Sequence, residues 1–111
     1  MSETSLDQET AEEYAGWFRA LADPTRIRIM RFLNGRTEPV PVGEIVAHLG
    51  LNQSTVSHHL KILHTARFLT RRRAGASIRY AVNPRCVTEF PSAADILLGA
   101  PVRSCREPGS S

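Results

Sequence analysis

Acidic residues are missing from a long stretch of this chain. Between Ile45 and Thr88 there is no Asp or Glu, while Lys61, Arg67, Arg71, Arg72, Arg73, Arg79 and Arg85 are all basic. The formal charge of +3 conceals this, because Glu3, Asp7, Glu9, Glu12 and Glu13 are gathered near the N-terminus without a base among them. A basic half of this kind suits a polyanionic partner; a solvated charged surface is the alternative. Cysteine is scarce as well. Cys86 and Cys105 are too few for a disulfide framework, and a reducing cytoplasm would keep both as thiols. Long apolar runs are absent: the group Ile96, Leu97, Leu98 is bounded by Asp95, Gly99 and Pro101, which excludes a membrane span. No basic start leads into an apolar core with a small-residue cleavage site, so no signal peptide is read. The expectation is a cytoplasmic protein without a membrane partner. Neither a nucleophile with a positioned base nor a Gly-rich phosphate loop is found, so an enzyme is not expected.

The 111 residues hold one domain around one core. We read residues 1–9 as a flexible acidic arm, 10–99 as the folded domain with terminal dimerisation helices, and 100–111 as a disordered tail. What is present in the folded part is a succession of helix signals. Ala11, Tyr14, Ala15, Phe18, Leu21 and Ala22 recur at helical spacing, with Trp17 on the flank. The stripe of Tyr14, Trp17, Phe18 and Leu21 is large for so small a core and serves either that core or a partner chain. Asp23 and Pro24 open a second helix and Asn34-Gly35 closes it, although RIRIMRFL also alternates like a strand. Ile27, Ile29, Met30, Phe32 and Leu33 surround that helix, which is expected to be the most buried. Residues 36–41 form a loop with a residue or two of strand near Val40. Val42, Ile45, Val46 and Leu49 make a short third helix, closed by Gly50.

Asn52 then caps a fourth helix on which Val56, Leu60 and Leu63 share a stripe. Ser54, His58, Lys61 and Thr65 point the other way, with Gln53 and Ser57 near the start. Two short helices joined by a Gly-containing turn read as a helix-turn-helix, whose second helix enters a DNA groove. Short donors and acceptors followed by a cation, with no acid, suit base edges and phosphates; a plain solvent face is the alternative. Phe68 to Arg73 and Ser77 to Val82 alternate around Ala74-Gly75-Ala76, which reads as a hairpin. An Arg-rich hairpin after a helix-turn-helix is a wing. The expected fold is mostly α with a small β-hairpin, a winged helix-turn-helix.

The segments FRALADPTRIRIMRFL, VGEIVAHLGLNQSTVSHHLKIL and GASIRYAV, in this order, resemble the ArsR/SmtB family of bacterial winged-helix regulators across roughly residues 10–86. The resemblance implies a homodimer built through the first and last helices, a double-stranded operator with an imperfect palindrome, and release of DNA when a metal ion or other effector binds. It implies DNA contacts from Gln53, Ser54, Ser57, His58 and Lys61, and from Arg73 and Arg79 in the wing. Tyr14, Trp17, Phe18, Leu21 and Leu97 would make the dimer interface. The chain departs from the family at its metal sites. Val40, Val42 and Ile45 stand where the arsenic-sensing founder type has cysteines, and the zinc-type site on the last helix would begin at Pro84 and Cys86 with no later His. Arg67 occupies a place where members tend to carry Gly.

The remaining ligand candidates are Cys86, Cys105, His64, Glu44 and His48. Glu44 and His48 lie four apart on an exposed helix face, as a metal pair or a surface polar pair. His and carboxylate ligands would suit nickel, cobalt or zinc, and thiolates a softer ion. A transition-metal effector is therefore one reading of a dimeric repressor. A regulator responsive to redox or a small molecule, an activator, and a protein-interaction winged helix are the others.

Overall fold

Three of the helices begin on a side chain that accepts from their free N–H groups. α1 (Gln8–Leu21) opens on Asp7, whose Oδ1 accepts from the Thr10 N–H at 2.8 Å. This places Gln8 and Glu9 in the helix, although both fall in the stretch read as a flexible arm. α2 (Pro24–Asn34) opens on Asp23, whose Oδ2 accepts from Thr25 N at 2.9 Å and Arg26 N at 3.2 Å. The Asp-Pro start thus decides for a helix over a strand. α3 (Val42–Leu49) ends on Gly50, which takes the left-handed conformation at φ 71° and donates to Val46 O. α4 (Gln53–Thr65) opens on Asn52, whose Oδ1 accepts from Thr55 N at 2.8 Å. The computed structural model describes residues 6–85 and 93–99. Cys86, Cys105 and the expected tail lie outside these.

β1 (Val40–Pro41), β2 (Leu69–Ala74) and β3 (Ser77–Val82) form an antiparallel sheet in the order β1-β3-β2. The hairpin pairs Leu69 with Val82 and Ala74 with Ser77, and Val40 pairs with Tyr80. A short α5 (Ala93–Leu98) ends the described chain. Ile29 of α2, Ile45 of α3, and Val56, Leu60 and Leu63 of α4 are fully buried, with Val40, Leu69 and Tyr80 closing the core from the sheet.

Two expectations about facing need correction. α2 is not the most buried helix, since it buries Ile29 and Leu33 while α4 buries Val56, Leu60 and Leu63. On α2, Ile29 and Leu33 are four apart and make one inner stripe, whereas Ile27 sits about 200° round from Ile29 and is 50% exposed. On α1 the inner face is Trp17, Ala20 and Leu21, while Phe18 is 40% exposed. Of the stripe Tyr14, Trp17, Phe18 and Leu21, Trp17 and Leu21 pack on the chain's own core and Phe18 is turned outward.

Candidate nucleic-acid interface

Gln53, Ser54, Ser57, His58, Lys61 and Thr65 are exposed on one side of α4, and Val56, Leu60 and Leu63 hold the other side in the core. A helix anchored by three side chains without free surface presents its outer face in a fixed orientation. Ser54 is partly committed, since its hydroxyl donates to Asn52 Oδ1 at 3.0 Å and keeps its acceptor lone pairs outward. His58 and His59 diverge as neighbours on a helix must. His58 stays outside, whereas the His59 ring turns inward, with Nδ1 3.1 Å from Arg26 Nη1 and 3.9 Å from Asp23 Oδ2.

The end of α4 fixes where the hairpin leaves. Phe68 N donates to Leu63 O at 3.0 Å and Arg67 N to His64 O at 2.9 Å, the paired bonds of a Schellman cap, with Arg67 left-handed at φ 71°. Arg67 thus takes, without glycine, the left-handed conformation that glycine favours. Asn83 fastens the returning strand, its N–H donating to Phe68 O at 2.9 Å and its Nδ2 to Arg67 O at 3.0 Å. The hairpin base is bonded to the turn that ends α4.

Arg71, Arg72 and Arg73 are exposed along β2. Strand alternation puts Arg71 and Arg73 on the face of Tyr80 and Ile78, and Arg72 on the face of Arg79. Arg79 pairs with Arg72 on one side and Pro41 on the other, so it sits where the sheet is three strands wide rather than at the tip. Its Nε is buried without a hydrogen-bond partner among the described residues, and its side chain lines a depression with Glu38 and Glu44.

The metal candidates do not assemble. Glu44 turns to Arg36, Oε1 lying 3.5 Å from Nη2, while His48 stacks on Phe32 with centroids 4.0 Å apart. His64 is half-buried and meets the edge of the Tyr80 ring, centroids 6.4 Å apart. Val40 and Ile45, at the founder-type positions, are buried hydrocarbon. Among the described residues no three His, Cys, Asp or Glu are placed to hold a metal ion. No described helix is long and apolar enough to cross a membrane.

One polar cluster escaped sequence reasoning. Asp23 reads as a cap, Arg26 as one cation of many and His59 as packing, and nothing in the spacing of 23, 26 and 59 brings them together. The Asp23 carboxyl lies below the ordinary carboxylate range: desolvation works to raise it, but the N–H groups of Arg26 and Thr25 and the charges of His59 and Arg26 outweigh that.

The sequence profile described as bacterial regulatory protein, arsR family, matches residues 23–71, from the α2 cap into the wing. The transcriptional repressor SdpR of Bacillus subtilis is 36% identical over 66 residues, covering 60% of this chain and 71% of SdpR. The chain belongs to the ArsR family. The regulator NmtR of Mycobacterium tuberculosis is 38% identical to this ArsR-family chain over 77 residues, covering 69% of it and 62% of NmtR. The chain spans 56% of the length of two further curated repressors. Among solved structures, the homodimeric winged helix-turn-helix DNA-binding domain Mb0332 of Mycobacterium bovis is similar with a TM-score of 0.62 and 26% identity, over 71% of this chain and 73% of that one. The expected fold class, mostly α with a small hairpin, is the one observed.

Proposed function

We propose that this ArsR-family protein is a homodimeric transcriptional repressor that binds double-stranded operator DNA, with α4 in the major groove and the hairpin along the backbone. The acid-free face of α4, held rigidly from behind, carries the reading. Gln53, Ser57 and His58 reach base edges, Ser54 and Lys61 the adjoining phosphates, and Arg73 a phosphate from the hairpin end. Arg79 belongs to the same basic surface from the hairpin's other face.

Dimerisation rests on what α1 and α5 leave uncovered. Phe18 is 40% and Leu97 73% exposed, and Tyr14 packs its ring 5.2 Å from that of Trp17. Trp17 and Leu21 are shared between the chain's own core and this surface. Two copies related by a two-fold axis would read a palindrome, one half-site each; the homodimeric state of Mb0332 supports the same assembly. Glu44 is engaged by Arg36 and His48 by Phe32, which leaves Cys86 and Cys105, outside the described residues, among the candidates for a metal response.

Fluorescence anisotropy with the duplex upstream of the protein's own gene, against a scrambled duplex of equal length, tests the reading. Preferential binding to the upstream duplex is expected. Equal affinity for both at low and high salt would exclude base readout. Sedimentation should give twice the chain mass, and Phe18→Glu should give monomers.

A further inference from the structure

Arg26 ties three helix segments together. From α2, its Nε donates to Ala20 O at 2.6 Å and its Nη2 to Arg19 O at 3.4 Å, both in the last turn of α1, where a cation also meets the negative end of the helix. Its Nη1 lies 3.1 Å from His59 Nδ1 on α4. A guanidinium only donates, so a hydrogen bond at this distance requires a bare Nδ1 and the imidazole proton on Nε2. Asp23 Oδ2, already accepting from two backbone N–H groups, stands 3.9 Å from the same Nδ1. The His59 side chain is only 14% exposed. Among the described residues, Asp23 and Arg26 of α2 stand against it and the His58 ring lies beside it with centroids 5.5 Å apart, while Arg19 of α1 and Lys61 of α4 line the adjoining depression with Arg26.

We propose that the Arg26–His59 contact is a proton-sensitive link that holds the recognition helix against the first helix and thereby tunes DNA affinity. The proposal rests on the reading of α4 as the DNA-reading helix and α1 as a dimer helix. With His59 neutral, hydrogen bonds run unbroken from the α1 carbonyls through Arg26 to α4. A proton taken from solvent onto Nδ1 sets donor against donor and cation against cation. The imidazolium then turns to Asp23, the nearest acid, and Arg26 remains with α1 alone. Palindrome reading requires two recognition helices at a fixed separation, which the dimer helices set, so loosening α4 from α1 weakens specific binding. Histidine is the side chain that ordinarily changes charge nearest neutrality. The sign of the effect is diagnostic. Protonation of His58 beside phosphate would strengthen binding in acid, whereas release of this link weakens it.

Nitrogen NMR of the imidazoles in the wild-type chain, without DNA, tests the first step and needs no variant. A bare Nδ1 and a protonated Nε2 on His59 at neutral pH are expected; the opposite tautomer overturns the proposal whether or not the protein binds DNA. The second test compares wild type with His59→Asn, whose amide oxygen stands in the place of Nδ1 and cannot titrate. The amide signals of Arg19 to Ala22 should move with acidification in the wild type and stay in the variant. The two proteins should bind the specific duplex alike near pH 8, and the wild type should lose on the order of tenfold relative to the variant toward about pH 5.5, the worth of one charge-assisted hydrogen bond. Parallel curves for the two proteins overturn the link even if both bind DNA well.

Discussion

Arg73 and Arg79 occupy opposite faces of the hairpin, Arg73 on that of Tyr80 and Arg79 on that of Arg72. Residues that look equivalent as wing cations therefore meet different surroundings. Arg73→Ala should weaken binding to specific and random DNA alike and flatten the dependence of log affinity on log salt by about one unit. Arg79→Ala should leave that slope near the wild-type value, because its side chain lines a depression shared with Glu38 and Glu44, on the hairpin face away from Arg73. Salt titrations of both variants check this; an equal loss of slope would mean that the wing meets DNA with both faces.

His58 is the outermost ring on α4, and a base contact should show as discrimination. His58→Ala is expected to cost about 1–3 kcal/mol on the specific duplex and far less on a random one. Competition binding measures the difference directly, and equal losses would reassign His58 to the backbone.

A left-handed arginine is an uneconomical way to end a helix. Arg67→Gly removes the clash of Cβ with the backbone, which costs roughly 1–2 kcal/mol, but adds freedom to the unfolded chain. A net gain of about 0.5–1 kcal/mol in urea unfolding is expected. Loss of stability would show that the Arg67 side chain contributes more than its backbone costs.

Asp23 and Asp7 both titrate below the ordinary carboxylate range, Asp7 through its bonds to the Thr10 hydroxyl and N–H. Lowered folded values mean that each cap stabilises the protein above the unfolded pKa of about 4 and loses this contribution as the pH falls through the folded value. Asp23→Ala should lower the thermal midpoint at pH 7, and the gap to wild type should close as the solution is acidified below about pH 4. A gap that persists at low pH would show that the loss comes from packing rather than charge.

Much of the architecture was legible because local signals agreed. Asn52, the Val56, Leu60 and Leu63 stripe and the Gly75 turn each fix an element without help from distant residues, and α4 and both hairpin strands follow from them. The face of α1 was not legible in the same way. α1 carries apolar residues both inward and outward, and periodicity cannot rank Trp17 above Phe18. His48 against Phe32 and His59 against Arg26 were hidden for a different reason. Each contact joins separate helices, and single-sequence spacing carries no record of which helices meet.

β1 is two residues long and ends on Pro41, which has no N–H to offer, while the opposite border of the sheet, β2, bears Arg71, Arg72 and Arg73 in succession. One border is short of donors and the other repels its own likeness. Copies crowded together at high concentration thus meet edges that disfavour zipping sheet to sheet into a fibre, and the hairpin stays a single blade.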